Sequence, residues 1–278
     1  MRIFKGIVIG NEERRSGMEE NMNRYLSVLA LKVRTSVYKI LGIMAVMAGV
    51  QMLDFYLVGC RLSREAAAWN ENQMNQLPFT FIRLIRESHL QWIFLMAILG
   101  VELVLLTSGG QRGKGKTKET LWRLQISPRT VFVLWAVCHG IMLLMLILLQ
   151  ILIVVVLHRI YLGQVDAGKI PQSLFLACSE NGLLHGLLPI GDMVKGIRLI
   201  SVFLAWSVGT VYFGYVNWVT YYRRCILILG YLVWSSVHMV FVSDLPALDW
   251  ILIVMSWICM LCMGISVKGG WGYEMGEM

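Results

Sequence analysis

The eight residues Gly110–Thr117, "GQRGKGKT", match the nucleotide-binding loop pattern G-x-x-x-x-G-K-[ST], with Gly110, Gly115, Lys116 and Thr117 in the defining places. In a working loop of this kind, backbone N–H groups cradle phosphates, the lysine reaches the terminal phosphates and the hydroxyl meets magnesium. That chemistry needs a buried strand before the loop, a helix after it and an acidic metal ligand nearby. Here the preceding run is "LQWIFLMAILGVELVLLTS", which reads as a membrane-spanning helix. No apolar strand run ending in Asp occurs outside the long apolar segments. A basic linker rich in Gly and Lys produces the match by composition alone. The loop is therefore read as a chance match, and no cofactor or metal is expected on this chain.

Other residues with chemical potential lie within apolar runs. Cys259 and Cys262 form a C-x-x-C inside "MSWICMLCMG", with no second ligand pair to complete a metal site. Neither H-E-x-x-H nor G-x-S-x-G is present, and no two Asp residues share the middle of a span. Polar side chains inside lipid are costly and commonly functional. Those here are Asp54, Glu102, His139, Gln150, Asn217 and His238, of which Glu102, His139 and Asn217 are the candidates for an intramembrane polar site. Glu102, in "ILGVELVLL", is free to pair with a base of the following loop, to face a cavity or to serve helix packing. None is read as catalytic, and the chain is not expected to be an enzyme.

The elements that position these residues follow from composition. The 278 residues are 57% hydrophobic and only 15% charged, where a soluble domain is about a quarter charged. With a mean hydropathy of +0.65, lipid is the natural solvent. Six runs are long and apolar enough to span a bilayer as helices: Val37–Gly59, Leu90–Thr107, Val131–Leu157, Leu199–Trp218, Cys225–Val242 and Leu248–Val267. The fourth and fifth, joined by "VTYYRR", read as a helical hairpin. With both termini inside, 17 Lys and Arg fall on the inner side and 8 on the outer. That bias sets an N-in, C-in topology and accounts for the net charge of +8 without nucleic acid. The expectation is an all-α integral membrane protein of six transmembrane helices, a single domain over 23–278.

Residues 1–22 form an N-terminal segment without a signal-peptide pattern. If Arg14-Arg15 are encoded AGG-AGG, they mark a ribosome-binding sequence and Met18 is the true start; CGN codons there would exclude this. "NRYLSVLALKVRTSVYK" places Leu26, Leu29, Val33 and Val37 at helical spacing among basic residues, as in an amphipathic helix on the inner membrane surface. The alternative is a cytoplasmic extension of the first span. Outside, Cys60–His89 contains a short helix ended by Pro78. His158–Arg198 contains an apolar piece that either lies in the interface or caps a cavity. Cys60 and Cys178 both fall outside, and whether they bond is open.

After the basic loop, "TKETLWRLQISPRTVFVLW" reads as two helices with a break. Ser127 is suited to N-cap the second and Pro128 to open it. The first, Thr117–Ile126, carries Leu121, Trp122 and Leu124 on an apolar side and Lys118, Glu119 and Arg123 on a charged one. It either presents a surface to a partner or rests in the headgroup layer, where Trp is favoured.

Taken together, the basic pre-span helix, the six spans with both ends inside and "KETLWRLQISPRTVFVLWAV" resemble the membrane subunit of an ABC-2-type ABC transporter, over about Asn23 to Val267. Two departures stand out: "SDLPALD" between spans five and six is very short, and the long external segment lies between spans three and four. The resemblance implies that Thr117–Ile126 is a coupling helix, with Leu121, Trp122, Arg123 and Leu124 meeting a separate ATPase subunit that binds ATP-Mg. It further implies a second permease subunit, identical or similar, export as the usual direction, and the bacterial cytoplasmic membrane as location. The alternatives are a non-transporting membrane sensor or assembly protein and, more weakly, an intramembrane enzyme. The substrate is not legible.

Overall fold

A computed structural model describes residues 36–64, 80–108, 127–164, 172–215, 218–241 and 246–274, with isolated positions between 26 and 34. Among them there is no strand. Nine helices follow in chain order: α1 (Ser36–Arg64), α2 (Phe81–Glu87), α3 (Leu90–Ser108), α4 (Pro128–Gln164), α5 (Leu174–Glu180), α6 (Gly182–Leu187), α7 (Met193–Tyr215), α8 (Trp218–Val240) and α9 (Pro246–Glu274).

Five helices, α1, α3, α4, α7 and α9, are long and apolar enough to cross a membrane. The chain is thus built as a multi-pass membrane protein. The 37 residues of α4 make it about 55 Å long at 1.5 Å per residue, well beyond a hydrocarbon core of about 30 Å. The sixth long helix, α8, has a shorter apolar stretch, Ile226–Val240.

Contacts between helices fix an alternating up-and-down order. The late part of α1 meets the start of α3, where Gln51 Nε2 donates to the Leu90 carbonyl at 3.3 Å and the His89 N–H donates to Asp54 Oδ2 at 2.7 Å. Early α4 meets late α7 through His139 and Thr210. Late α8 meets early α9 through Tyr231 and Ser256. Ser36, Ser108, Ser127 and Glu274 therefore lie at one end of the bundle, and the short helices α2, α5 and α6 at the other.

Several boundaries differ from those read in the sequence. α7 begins at Met193, so Lys195 and Arg198 belong to a helix and not to a loop. The "VTYYRR" segment, expected to be a loop, is the first part of α8, and the chain reverses earlier, between Tyr215 and Trp218. Helix α9 continues through Lys268, expected in the tail, to Glu274. The segments Asn23–Lys39 and Thr117–Ile126 lie largely and wholly outside the described residues, as does most of the expected helix before Pro78.

Each short helix is started by a side chain that takes up a free N–H. Thr80 Oγ1 accepts from Arg83 N in α2, Ser173 Oγ from Leu176 N in α5, and Asn181 Oδ1 from Leu184 N in α6. Fully buried Phe81 anchors α2, with ring centroids 4.8 Å from His158 and 5.4 Å from Tyr161 of α4. Gln172 ties the same corner: its side-chain oxygen accepts from Ile82 N at 3.0 Å, and its carbonyl lies 3.0 Å from His158 Nε2.

Candidate functional site

The interhelix contacts of the bundle interior concentrate on α7, α8 and α9, and they share one local design. A hydroxyl gives its single proton to a carbonyl one turn back on its own helix. It then has lone pairs left to accept from a donor on the next helix. Thr210 Oγ1 donates to the Trp206 carbonyl at 2.8 Å and lies 2.9 Å from His139 Nδ1. Ser235 Oγ donates to the Leu232 carbonyl at 3.0 Å and accepts from Trp206 Nε1 at 2.8 Å. Ser256 Oγ donates to the Leu252 carbonyl at 2.6 Å and accepts from the Tyr231 hydroxyl at 2.5 Å.

These pairs link α4 to α7, α7 to α8 and α8 to α9. What the seam can do is fix the register of four helices in an apolar medium.

Glu102 of α3 belongs to the same interior. It is buried, and Ser236 Oγ of α8 donates to its Oε1 at 3.1 Å. Of the readings the sequence leaves open, the contact the structure supplies is helix packing against α8. Gln150, in the middle of α4, is fully buried and neither side-chain polar atom has a hydrogen-bond partner among the described residues. His238 stacks on Trp234 with centroids 6.0 Å apart and an interplanar angle of 16°.

The strongest polar contact was not legible in the sequence. Arg198 Nη1 donates to Asp249 Oδ1 at 2.5 Å, with side-chain exposures of 0% and 5%. Both residues had been placed in or beside external loops. In the structure they join the second turn of α7 to the first turn of α9 inside the bundle. The remaining guanidinium atoms Nε and Nη2 are buried without a hydrogen-bond partner among the described residues. The sequence did contain a signal: an Arg at helical spacing from the apolar face of α7 and an Asp one turn into α9, both at the same end.

Glycines mark where helices cross closely. A Cβ at Gly209 would lie 3.3 Å from Leu232 Cδ2, and one at Gly140 3.5 Å from Ser207 Cβ, whereas Gly42 and Gly49 on α1 face open space.

The motif residues fall differently. Gly110, Gly115, Lys116 and Thr117 lie outside the described residues, as do Leu121, Trp122, Arg123, Leu124 and Asn217. The cap predicted next to them is present: Ser127 Oγ accepts from Thr130 N at 3.3 Å as α4 opens at Pro128. Cys60 and Cys178 are free thiols, so they form no bond. Burial pushes the Cys178 thiol above its ordinary value, which makes it unreactive. Among the described residues, no three His, Cys, Asp or Glu side chains gather to hold a metal ion.

At the α5–α6 end, a half-open recess of about 340 Å³ lies between α3, α5, α6, α7 and the end of α8, lined in part by Glu180, His185 and Lys195. The apolar segment expected to lie in the interface or cap a cavity does form one wall of it. Nearby, Glu87 of α2 receives Arg83 Nε at 2.7 Å and Arg61 Nη2 at 2.5 Å. The Arg83 hydrogen bond, and then that of Arg61, hold its carboxyl below the usual carboxylate range.

No family model, curated protein or solved structure matches this chain.

Proposed function

We propose that this chain is the membrane-spanning subunit of an ATP-driven ABC transporter of the ABC-2 type, coupled to a separate ATPase. α8 serves as the sixth span, and both chain ends face the cytoplasm of a bacterial cell. The observation that carries the reading is the end of the bundle shared by Ser36, Ser108, Ser127 and Glu274. The basic loop and the Trp-bearing segment Thr117–Ile126 emerge at that end, bounded by the Ser127 cap. A loop placed there receives the motion of an ATPase docked below the membrane and passes it into α4 through that cap. Two such chains, or this one and a similar permease, enclose the pathway, and export is the direction proposed.

Hydrolysis belongs to the partner. The loop "GQRGKGKT" acts as a basic leash on the cytoplasmic side and binds no nucleotide. In the reconstituted complex, ATPase activity of the partner rises with this chain present and falls when Leu121 and Trp122 are replaced by Asp. Lys116→Ala leaves nucleotide binding by the chain alone unchanged. Specific ATP binding lost on Lys116→Ala, or an isolated chain that hydrolyses ATP, would overturn the assignment.

A further inference from the structure

The recess at the α5–α6 end contains two charges of opposite sign. Lys195 is 9% exposed and lies in the first turn of α7, where the helix dipole disfavours a cation. Its nearest carboxylate oxygen, Asp192 Oδ2, is 3.9 Å away, beyond hydrogen-bond reach. The other oxygen, Oδ1, is engaged with Lys195 N at 3.1 Å as the cap of α7. The Lys195 side chain, 11% exposed and within ion-pair range of Asp192 alone among the described residues, lines the recess. Glu180 closes α5, is exposed and makes no ion pair among the described residues. Both charges line one recess of about 340 Å³, within the size range of small-ligand sites of about 300–1,000 Å³.

The surroundings are amphipathic. Phe241 lines the recess and packs on Trp92 at 4.6 Å between ring centroids. The flanking Phe175 of α5 and Met193 of α7 are exposed. A polar pocket with one cation and one anion, opening onto apolar surface at the end of a membrane bundle, is matched to a lipid headgroup of both signs. We propose that this recess binds a phosphoethanolamine group, its phosphate on Lys195 and its ammonium on Glu180. The ammonium must be a hydrogen-bond donor for Glu180 to recognise it, which separates this group from a quaternary choline. The recess does this whether or not the chain couples to an ATPase.

Native mass spectrometry of the purified full chain, offered dioleoyl phosphatidylethanolamine, phosphatidylcholine and phosphatidylglycerol in turn, reads the lipid retained. Phosphatidylethanolamine is expected to be held about tenfold better than phosphatidylcholine, the worth of one charge-assisted hydrogen bond. Lys195→Met should lower retention of both phosphatidylethanolamine and phosphatidylglycerol, and Lys195→Arg should restore it. Glu180→Gln should lower phosphatidylethanolamine alone, with the unfolding temperature of each variant showing that it remains folded. Competition by free glycerophosphoethanolamine would show that a soluble form supplies the group as well. Its failure would show that acyl chains are needed, and both results keep the site. Equal retention of phosphatidylethanolamine and phosphatidylcholine by the wild type, or by Lys195→Met and wild type, overturns the proposal.

Discussion

Helices α1 and α7 are both long and apolar, yet they are used in opposite ways. Only 28% of the apolar window of α1 is buried inside the protein, against 61% for α7. Along α7, Arg198, Ser201, Ser207 and Thr210 are all buried. Along α1, the exposed positions include Tyr38, Leu41, Val46, Val50, Leu53 and Tyr56. In a bilayer the hydrophobic effect does not distinguish helix from lipid, so packing and polar contacts decide which helix is interior. α7 is interior because it has the partners: His139, Ser235 and Asp249 each reach it from a different helix. α1 is held by polar contacts of Gln51, Asp54 and Arg61 in its late half and by one buried apolar stripe that includes Ile40, Met44, Met47 and Phe55.

The contrast should be sharpest where charge is involved. Arg198→Leu leaves Asp249 buried without its partner and should cost about 3–5 kcal/mol, seen as a large fall in the unfolding temperature in detergent. The double variant Arg198→Leu with Asp249→Leu should recover most of that loss. A single variant as stable as wild type would mean the pair is solvated.

A smaller difference separates glycines of the two helices. Gly209→Val on α7 pushes into Leu232, 3.3 Å from a new Cβ, and should cost about 1–3 kcal/mol. Gly49→Val on α1 meets nothing within 4 Å and should stay within about 0.5 kcal/mol. Equal effects in a thermal-unfolding comparison would remove the distinction between the two faces. Smaller again, Ser235→Ala strands the Trp206 N–H and should cost about 0.6 kcal/mol, the usual worth of such a bond inside a membrane.

The smallest effect lies outside the bundle. Glu87 has its carboxyl lowered by Arg83 and Arg61 from an ordinary 4.5. A lowered folded value contributes stability that is present above 4.5 and is lost as pH falls through the folded value. Unfolding temperature followed from neutral into acid should therefore drop, and Glu87→Gln should flatten a small part of that drop. Half-exposed ion pairs contribute little, so the change should be near the limit of detection.

These comparisons also show what a sequence discloses in such a chain. The runs now seen as α1, α3, α4 and α9 were legible because twenty apolar residues in a row have few alternatives to a spanning helix. Ser127 and Pro128 gave the start of α4 from cap chemistry alone. The start of α7 was misjudged because Lys195 and Arg198 look like loop residues by hydropathy. The burial of Arg198 depends on Asp249, 51 residues away, and that of Lys195 on a recess to which four other helices contribute. The α8 boundary is not legible for a similar reason: "VTYYRR" is polar and its Val, Thr and Tyr are weak helix formers, yet the helix begins at Trp218. Glu102 and His139 were picked out as polar residues in spans, but their partners Ser236 and Thr210 are unremarkable in type and could be paired only in three dimensions. Short α2, α5 and α6 are set by caps and by burial of Phe81, Ala177 and Leu184 rather than by any long pattern.

The central claim is that the loop before Ser127 meets an ATP-hydrolysing partner. It is tested most directly by placing a photocrosslinking amino acid at Trp122 of the full chain in its own membranes and identifying the adduct. The account predicts a covalent product with a subunit that carries the Walker A, signature and Walker B sequences, lost when Leu121 is also changed to Asp. Adducts formed only with lipid, or with proteins that bind no nucleotide, would contradict it.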